Sequence, residues 1–515
     1  MNKIIYILFI LFVFKLNAQK KVKKLDYIWL MGYNNIQNQP NPPNYGTSVI
    51  DFNYNPPKIF KLEKQIKISI ELANASICNK EGKLLLFTNG CHVEDSTFNM
   101  IKNSDELNPG YDITHFCEKG DGYTVPSSHI FLPYPNDTNR YALFHVGNDV
   151  YTKPKTKLVQ WLSYSEINMS LNKGKPEMTI KNDTIVKDTV FYGQLTACRH
   201  GNGRDWWIIE PQEFGNLYYT FLLSPKGLSK PIAQEIGGKF AIQAGGGQAG
   251  FTPDGSKYTR YTAGAGIQMF DFDRCTGKLF NYKHIPAFTT NYQEGGNAIS
   301  PNSRFLYVTK RTELWQFDLW AADISESRVL IAEKDTAFKP QSSQEFKSFF
   351  NCMLAPDGKI YMCGTGGHRY WNVIHQPNEK GKACDFRQHD IKLPTWNYAS
   401  IPNFPNYRLY DKAGSPCDTL GINDPTSVEE TEKLVPHKIY PNPTTGFLNI
   451  EISTSDFRTT KILIFNALGE IILKENITQA QQQLDLYHLA NGTYFYNLQI
   501  DGKVAGRGKV VKIEN

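Results

Sequence analysis

The sequence lacks the short signatures of the common hydrolases, zinc proteases and nucleotide-binding enzymes: it has no GxSxG elbow, no HExxH pair and no GxxxxGK[ST] loop. No CxxC pair occurs among its nine cysteines, so a zinc or redox site from these residues is not expected, and no metal or cofactor is expected elsewhere. Basic residues form no run dense enough to track a phosphate backbone, and 56 Lys+Arg against 50 Asp+Glu leaves a net charge of only +6. A nucleic-acid partner is therefore not expected. Long stretches of helix formers are scarce, and no apolar run reaches the roughly 20 residues of a transmembrane helix. What is abundant is the material of β-structure. The chain carries 28 Tyr and 31 Phe, which favour strands, with 39 Gly and 28 Pro to punctuate them.

Two apparent motifs dissolve on inspection. Gly245, Gly247 and Gly250 spell GxGxxG, but Phe251-Thr252-Pro253-Asp254-Gly255 after them reads as strand and turn, whereas a dinucleotide needs a helix N-terminus. Asp51, Asn53 and Asn55 begin like a calcium loop, yet Pro56 stands where the sharp turn needs Gly. Asp271 and Asp273 could pair as acid and base; their approach to Arg274-Cys275-Thr276-Gly277 reads instead as the capping of a turn.

At the N-terminus, Lys3 is followed by eleven apolar residues, Ile4 to Phe14, and then by Leu16-Asn17-Ala18. This reads as a signal peptide over 1–18, cut after Ala18, and no Cys follows to suggest a lipid anchor. All nine Cys lie in the exported part, where disulfides are permitted, and the odd number leaves at least one unpaired. Cys352 and Cys363 flank Ala355-Pro356-Asp357-Gly358-Lys359. They face each other if the turn centres on Asp357-Gly358, while a bulge at Gly358 puts them on opposite faces as two buried thiols.

A turn followed by an aromatic or β-branched strand recurs along the chain. It appears as Asn79 to Gly82 before KLLLFTNG, Pro135 to Asp137 before RYALFHVG and Gly201 to Gly203 before RDWWIIEP. It returns as Pro253 to Gly255 before SKYTRYT, Pro301 to Ser303 before RFLYVTK and Pro356 to Gly358 before KIYMCG. The spacing is about 50 to 65 residues, and a second strand pair follows each unit, so the expected fold is all-β: a β-propeller of about seven blades. The seventh blade would use YIWLMGYN, TSVIDFN and PKIFKL, closed by a strand such as YRLYD near 407–411. Trp206 and Trp207, adjacent on one strand, point to opposite faces and are expected to pack, with a sugar platform as the functional alternative. The propeller is expected over 19–422, then an acidic, polar linker over 423–436. Residues 437–515 show short strands joined by Gly- and Asn-containing turns, the pattern of a small β-sandwich.

That last module carries Ile439-Tyr440-Pro441-Asn442-Pro443 with Gly446, then Phe465-Asn466-Ala467-Leu468-Gly469, then Leu489-Ala490-Asn491-Gly492-Thr493-Tyr494, and a basic closing strand with Lys509. In these four landmarks it resembles the C-terminal sorting domain of the bacterial type IX secretion system. The resemblance implies two-step export to the medium or outer surface, the secretion machinery as partner, and usually removal of the domain, with surface attachment as one outcome. Within the module Pro441 and Pro443 would hold an extended entry strand, and Gly469 and Gly492 would permit tight turns. Residues 26–418 also resemble a group of secreted propellers found with such domains, through NASICNKEGKLLLFTNG, HGNGRDWWIIEP, DFDRCTG, SPNSRFLYV, APDGKIY, ACDFRQHDI and IPNFPNYRL. This second resemblance implies fold and location and names no ligand.

Binding candidates come from geometry. Inner strands of a propeller line its channel, and His129, His200, Gln248, Asn297 and Asn351, with Asn74, each precede a blade's first turn by about seven residues or fewer. They are expected at one mouth of the channel, for a protein or glycan ligand; the bland reading is hydrogen bonding between strands. Two functions stay open, a non-catalytic binding propeller and an extracellular carbohydrate-active enzyme with two carboxylates across the channel.

Overall fold

The computed structural model describes residues 23–32, 44–64, 66, 68–147, 151–152, 156–157, 159–240, 246–286, 294–338, 348–420, 436–452, 460–466, 470–500 and 503–514. Residues 1–18, expected from the sequence to be a signal peptide, lie outside the described residues, as do nearly all of the expected linker 423–436, Gly245 and Gly469. The chain divides into two compact units, one ending at Asp424 and the other beginning at Pro425.

The first unit is a seven-bladed β-propeller, each blade an antiparallel sheet running outward from the axis in chain order. Blade 1 holds Ile28–Met31, Ser48–Asp51 and Lys58–Lys61; blade 2 holds Ala75–Cys78, Leu84–Thr88 and Val93–Asp95. Blade 3 has His129–Pro133, Arg140–Gly147, Val159–Asn172 and Lys175–Val190, and blade 4 has Thr196–Arg199, Trp206–Pro211, Gly215–Ser224 and Ile232–Phe240. Blade 5 is built from Gly247–Phe251, Lys257–Thr262, Gly266–Asp273 and Lys278–Ile285, and blade 6 from Asn297–Ile299, Phe305–Lys310, Glu313–Asp318 and Val329–Glu333. Blade 7 comprises Cys352–Leu354, Ile360–Met362, Gly367–Ile374 and Phe386–Tyr398.

The recurring turn is one physical device. At Pro253-Asp254-Gly255 the Gly255 N–H donates to Thr252 O at 2.7 Å with φ +71°, and a Cβ there would fall 2.7 Å from Leu409 Cδ2. Ser303 (φ +60°) and Gly358 (φ +81°) hold the matching positions of blades 6 and 7. Alternation along the strands that follow sends successive side chains to the two blade faces. Trp206 accordingly joins a core with Tyr361 and Tyr407, whereas Trp207 packs with Tyr218, Tyr258 and Phe270 and donates its indole N–H to Arg274 O at 2.8 Å. Both are packing residues.

Gly358 also decides the cysteines. The left-handed residue in the turn sets Cys352 opposite Met362, not Cys363, and the two thiols enter different cores. The expected Cys352–Cys363 bridge is therefore corrected: both are free and buried. Bridges form instead between Cys91 and Cys117 and between Cys275 and Cys417.

Ring closure also departs from expectation. Residues 407–411 form no strand; the chain leaves blade 7 and runs down the axis as an irregular strap over 400–408. Blades 1 and 7 are tied by Ser48 Oγ to Thr395 Oγ1 at 2.7 Å and by Trp396 N–H to Asn44 O at 2.8 Å.

The second unit packs the three-stranded sheet of His437–Tyr440, Phe447–Ile452 and Gln481–Asp485 with a four-stranded one of Lys461–Phe465, Ile471–Asn476, Gly492–Ile500 and Lys503–Lys512. Leu448, Ile450, Ile462, Ile464, Leu484, Leu498 and Val510 fill its core. Pro441 and Pro443 follow the first strand, ending it where an entry strand was expected. Asn442 pins the turn, its Nδ2 donating to Lys509 O at 2.7 Å and its Oδ1 accepting from Val511 N at 2.9 Å. A Cβ on Gly446 would fall 2.5 Å from the Tyr487 ring, and Asn466 holds Glu470 through both its amide atoms. Gly492 opens its strand in extended backbone, with no tight turn there. No helix among the described residues is long and apolar enough to cross a membrane.

Candidate functional site

Four of the five channel candidates sit where the inner strands begin. Gln248 stitches three blades: its Nε2 donates to Cys352 O at 2.8 Å, and its Oε1 accepts from Cys352 N at 3.1 Å and Asn297 N at 3.2 Å. Asn297 returns a bond from Nδ2 to Gln248 O at 3.1 Å, and Asn351 stands just before Cys352. His129 begins its strand but turns into blade 3. Its Nδ1 lies 2.6 Å from Ser128 Oγ and its Nε2 accepts from Asn108 Nδ2 at 2.9 Å, while burial pushes the ring down to about 3, so it is neutral. Asn108 also holds His145.

His200 does not join them. It follows the last residue of Thr196–Arg199, at the opposite end of an inner strand, where Nδ1 accepts from Asn202 N at 3.0 Å and Nε2 donates to Cys275 O at 3.1 Å. All five side chains are buried.

What fills the axis is the strap. The Asn403 N–H donates to Asn74 O at 3.0 Å, and its Nδ2 donates to His129 O at 3.1 Å and Leu195 O at 3.0 Å, reaching blades 2, 3 and 4 from one residue. Asn406 Nδ2 donates to Pro253 O at 2.7 Å and Tyr407 OH to Phe131 O at 2.6 Å. Arg408 Nη1 meets both Asp26 oxygens at 2.6 and 2.7 Å. The cavity left beside the strap measures about 90 Å³, and Asp26 is the one carboxylate among its described lining residues. None of these strap residues was among the sequence-based candidates, although IPNFPNYRL contains them; a polar motif gives no sign that it will be drawn through a channel.

A carboxylate pair lies in the loops leading to the inner strands. Glu71, three residues before Asn74, is pushed up to about 7 by burial and by the nearby Asp121, whose own carboxyl is raised by burial. The fold therefore favours neutral Glu71 over the unfolded chain. Its contribution is complete below about 4.5 and is lost as pH rises through about 7. Glu71→Gln should match wild type at pH 5 and melt about 2 to 4 °C higher at pH 8. Parallel melting curves at the two pH values would remove Glu71 as the titrating group.

Comparison with known proteins identifies the second unit. Residues 438–512 match the family described as the secretion system C-terminal sorting domain. No curated protein matches the sequence. Among solved structures, a Lactobacillus plantarum protein is 14% identical with a TM-score of 0.39, covering 72% of this chain and 98% of its own. A putative 6-phosphogluconolactonase from Bacteroides uniformis is 11% identical with a TM-score of 0.38, covering 71% and 96%. PorZ, a surface component of the type IX secretion system of Porphyromonas gingivalis, is 10% identical with a TM-score of 0.27, covering 91% and 68%. None of these three likenesses carries a function over to this chain.

Proposed function

We propose that this chain, a type IX secretion cargo by its sorting domain at residues 438–512, serves outside the cell as a non-catalytic propeller that binds a glycan or a protein. The observation that supports this reading most is the occupied axis. The strap 400–408 takes the place where a propeller can gather catalytic groups from several blades, and Arg408 engages Asp26, the one carboxylate among the described residues lining the remaining cavity. Gln248 and Asn297 tie blades together there, which suits a rigid scaffold presenting its outer surfaces.

The test is an array of immobilised glycans probed with the full secreted chain, alongside an assay for new reducing ends. Retention on at least one glycan class without release of sugar supports the reading. Release of reducing ends by wild type but not by Glu71→Gln would replace it with the second one, an extracellular carbohydrate-active enzyme. That alternative is favoured by a single feature, the Glu71 carboxyl, which burial and the neighbouring Asp121 push up to about 7.

A further inference from the structure

The two outer strands of blade 3, Val159–Asn172 and Lys175–Val190, run for 14 and 16 residues. Against them lies a cavity of about 930 Å³, within the volume range of small-ligand sites, with Pro109 and Gly110 on one side and Trp161, Ser163, Thr184 and Lys187 from the strands. Trp161 and Ser163 are two residues apart on one strand and so share a face. Trp161 stands opposite Gly147 in the ladder, and its indole lies so close over that residue that a Cβ on Gly147 would fall 2.2 Å from Nε1 and 2.4 Å from Cε2. The missing side chain is what lets the ring settle there, half-buried, as a wall of the cavity.

Beside the ring, Ser163 is 1% exposed, lines the cavity, and its Oγ has no hydrogen-bond partner. A buried hydroxyl left unpaired costs free energy, and a donor or acceptor entering the cavity would recover it. Thr184 and Lys187 are exposed at the rim. One aromatic face, one unpaired buried hydroxyl and an otherwise largely polar wall match the chemistry of a pyranose ring, whose C–H face stacks on an indole while its hydroxyls bond around the edge.

We infer that this cavity on blade 3 binds a pyranose unit of an extracellular glycan, stacked on Trp161 with a sugar hydroxyl bonded to Ser163 Oγ. The inference rests on the binding reading above and gives it a place and a ligand class. Neutral and uronic-acid sugars share this chemistry; Lys187 distinguishes them, since its ammonium would attract a uronate carboxylate.

The experiment titrates the full secreted chain by calorimetry with cellohexaose, laminarihexaose, and alginate and polygalacturonate hexamers, using wild type, Trp161→Ala, Trp161→Phe, Ser163→Ala and Lys187→Ala, each checked by its melting curve. At least one sugar should bind wild type. Trp161→Ala should weaken it by about tenfold or more, Trp161→Phe by less, and Ser163→Ala by about three- to tenfold, in line with the loss of one stacking or hydrogen-bonded contact. Lys187→Ala should weaken only the two uronate hexamers. If Trp161→Ala melts early, the Phe and Ser163 variants carry the test. Wild-type affinity in folded Trp161 and Ser163 variants would overturn the site while leaving the binding function standing. Failure of wild type to bind any of the four sugars would overturn the pyranose assignment, and the glycan array then judges the binding function separately.

Discussion

A chain ending at residue 436 is expected to accumulate folded in the periplasm and to be absent from the medium and the outer surface. Residues 438–512 match the secretion system sorting domain, and they form a sandwich whose core of Leu448, Ile450, Ile464, Leu484 and Leu498 is its own. The seven blades close without it, through Ser48 with Thr395 and through the strap, so its loss should leave the melting temperature of the propeller within about a degree. Fractionation of cells expressing the truncated chain measures the effect, which should approach complete loss of export. Wild-type secretion of the truncation would refute it. Asn442→Ala makes a finer cut: it removes the bonds that bind the Pro441-Asn442-Pro443 turn to the last strand and should lower export with most of the sandwich intact.

Much of this fold was legible because a blade is a local object. Turn chemistry and strand alternation act within about 60 residues, and units such as Pro253-Asp254-Gly255 with SKYTRYT announce themselves without reference to the rest of the chain. What stayed hidden depends on register or on long reach. Whether Cys352 meets Met362 or Cys363 turns on one left-handed residue, Gly358, and a shift of a single position reverses the face. Spacing placed His129, Gln248, Asn297 and Asn351 at the starts of inner strands, but whether a side chain opens to a channel or joins its neighbours depends on what occupies the axis. That occupant comes from up to 329 residues further along, as Asn403 does for Asn74. Spacing also misplaced His200, because the GNG turn begins immediately after it while the other turns begin several residues further on. Trp161 drew no notice in the sequence, since its seat is made by a glycine on the neighbouring strand.

Arg408→Ala is expected to destabilise the propeller more than any substitution at the five channel candidates. Asp26 is 2% exposed and receives Arg408 Nη1 on both oxygens, so removing the guanidinium strands a buried carboxylate. Breaking such a pair from one side costs about 3 to 5 kcal/mol, whereas replacing both partners by apolar groups of similar size is close to neutral. Asp26→Leu with Arg408→Met should therefore recover most of what Arg408→Ala loses, a coupling that a double-mutant cycle in denaturant reads directly. Asn403→Ala should follow, at about 1 to 3 kcal/mol, because Nδ2 serves both His129 O and Leu195 O, carbonyls that the apolar replacement leaves short of a donor. Both variants act on contacts that join blades far apart in sequence, so the loss should appear as lower cooperativity of the whole ring, with the slope of the unfolding transition falling along with its midpoint. A strap that merely lies in the channel would give midpoints within about 0.5 kcal/mol of wild type for Arg408→Ala and Asn403→Ala alike, and the view of 400–408 as the element that locks the ring would then fail.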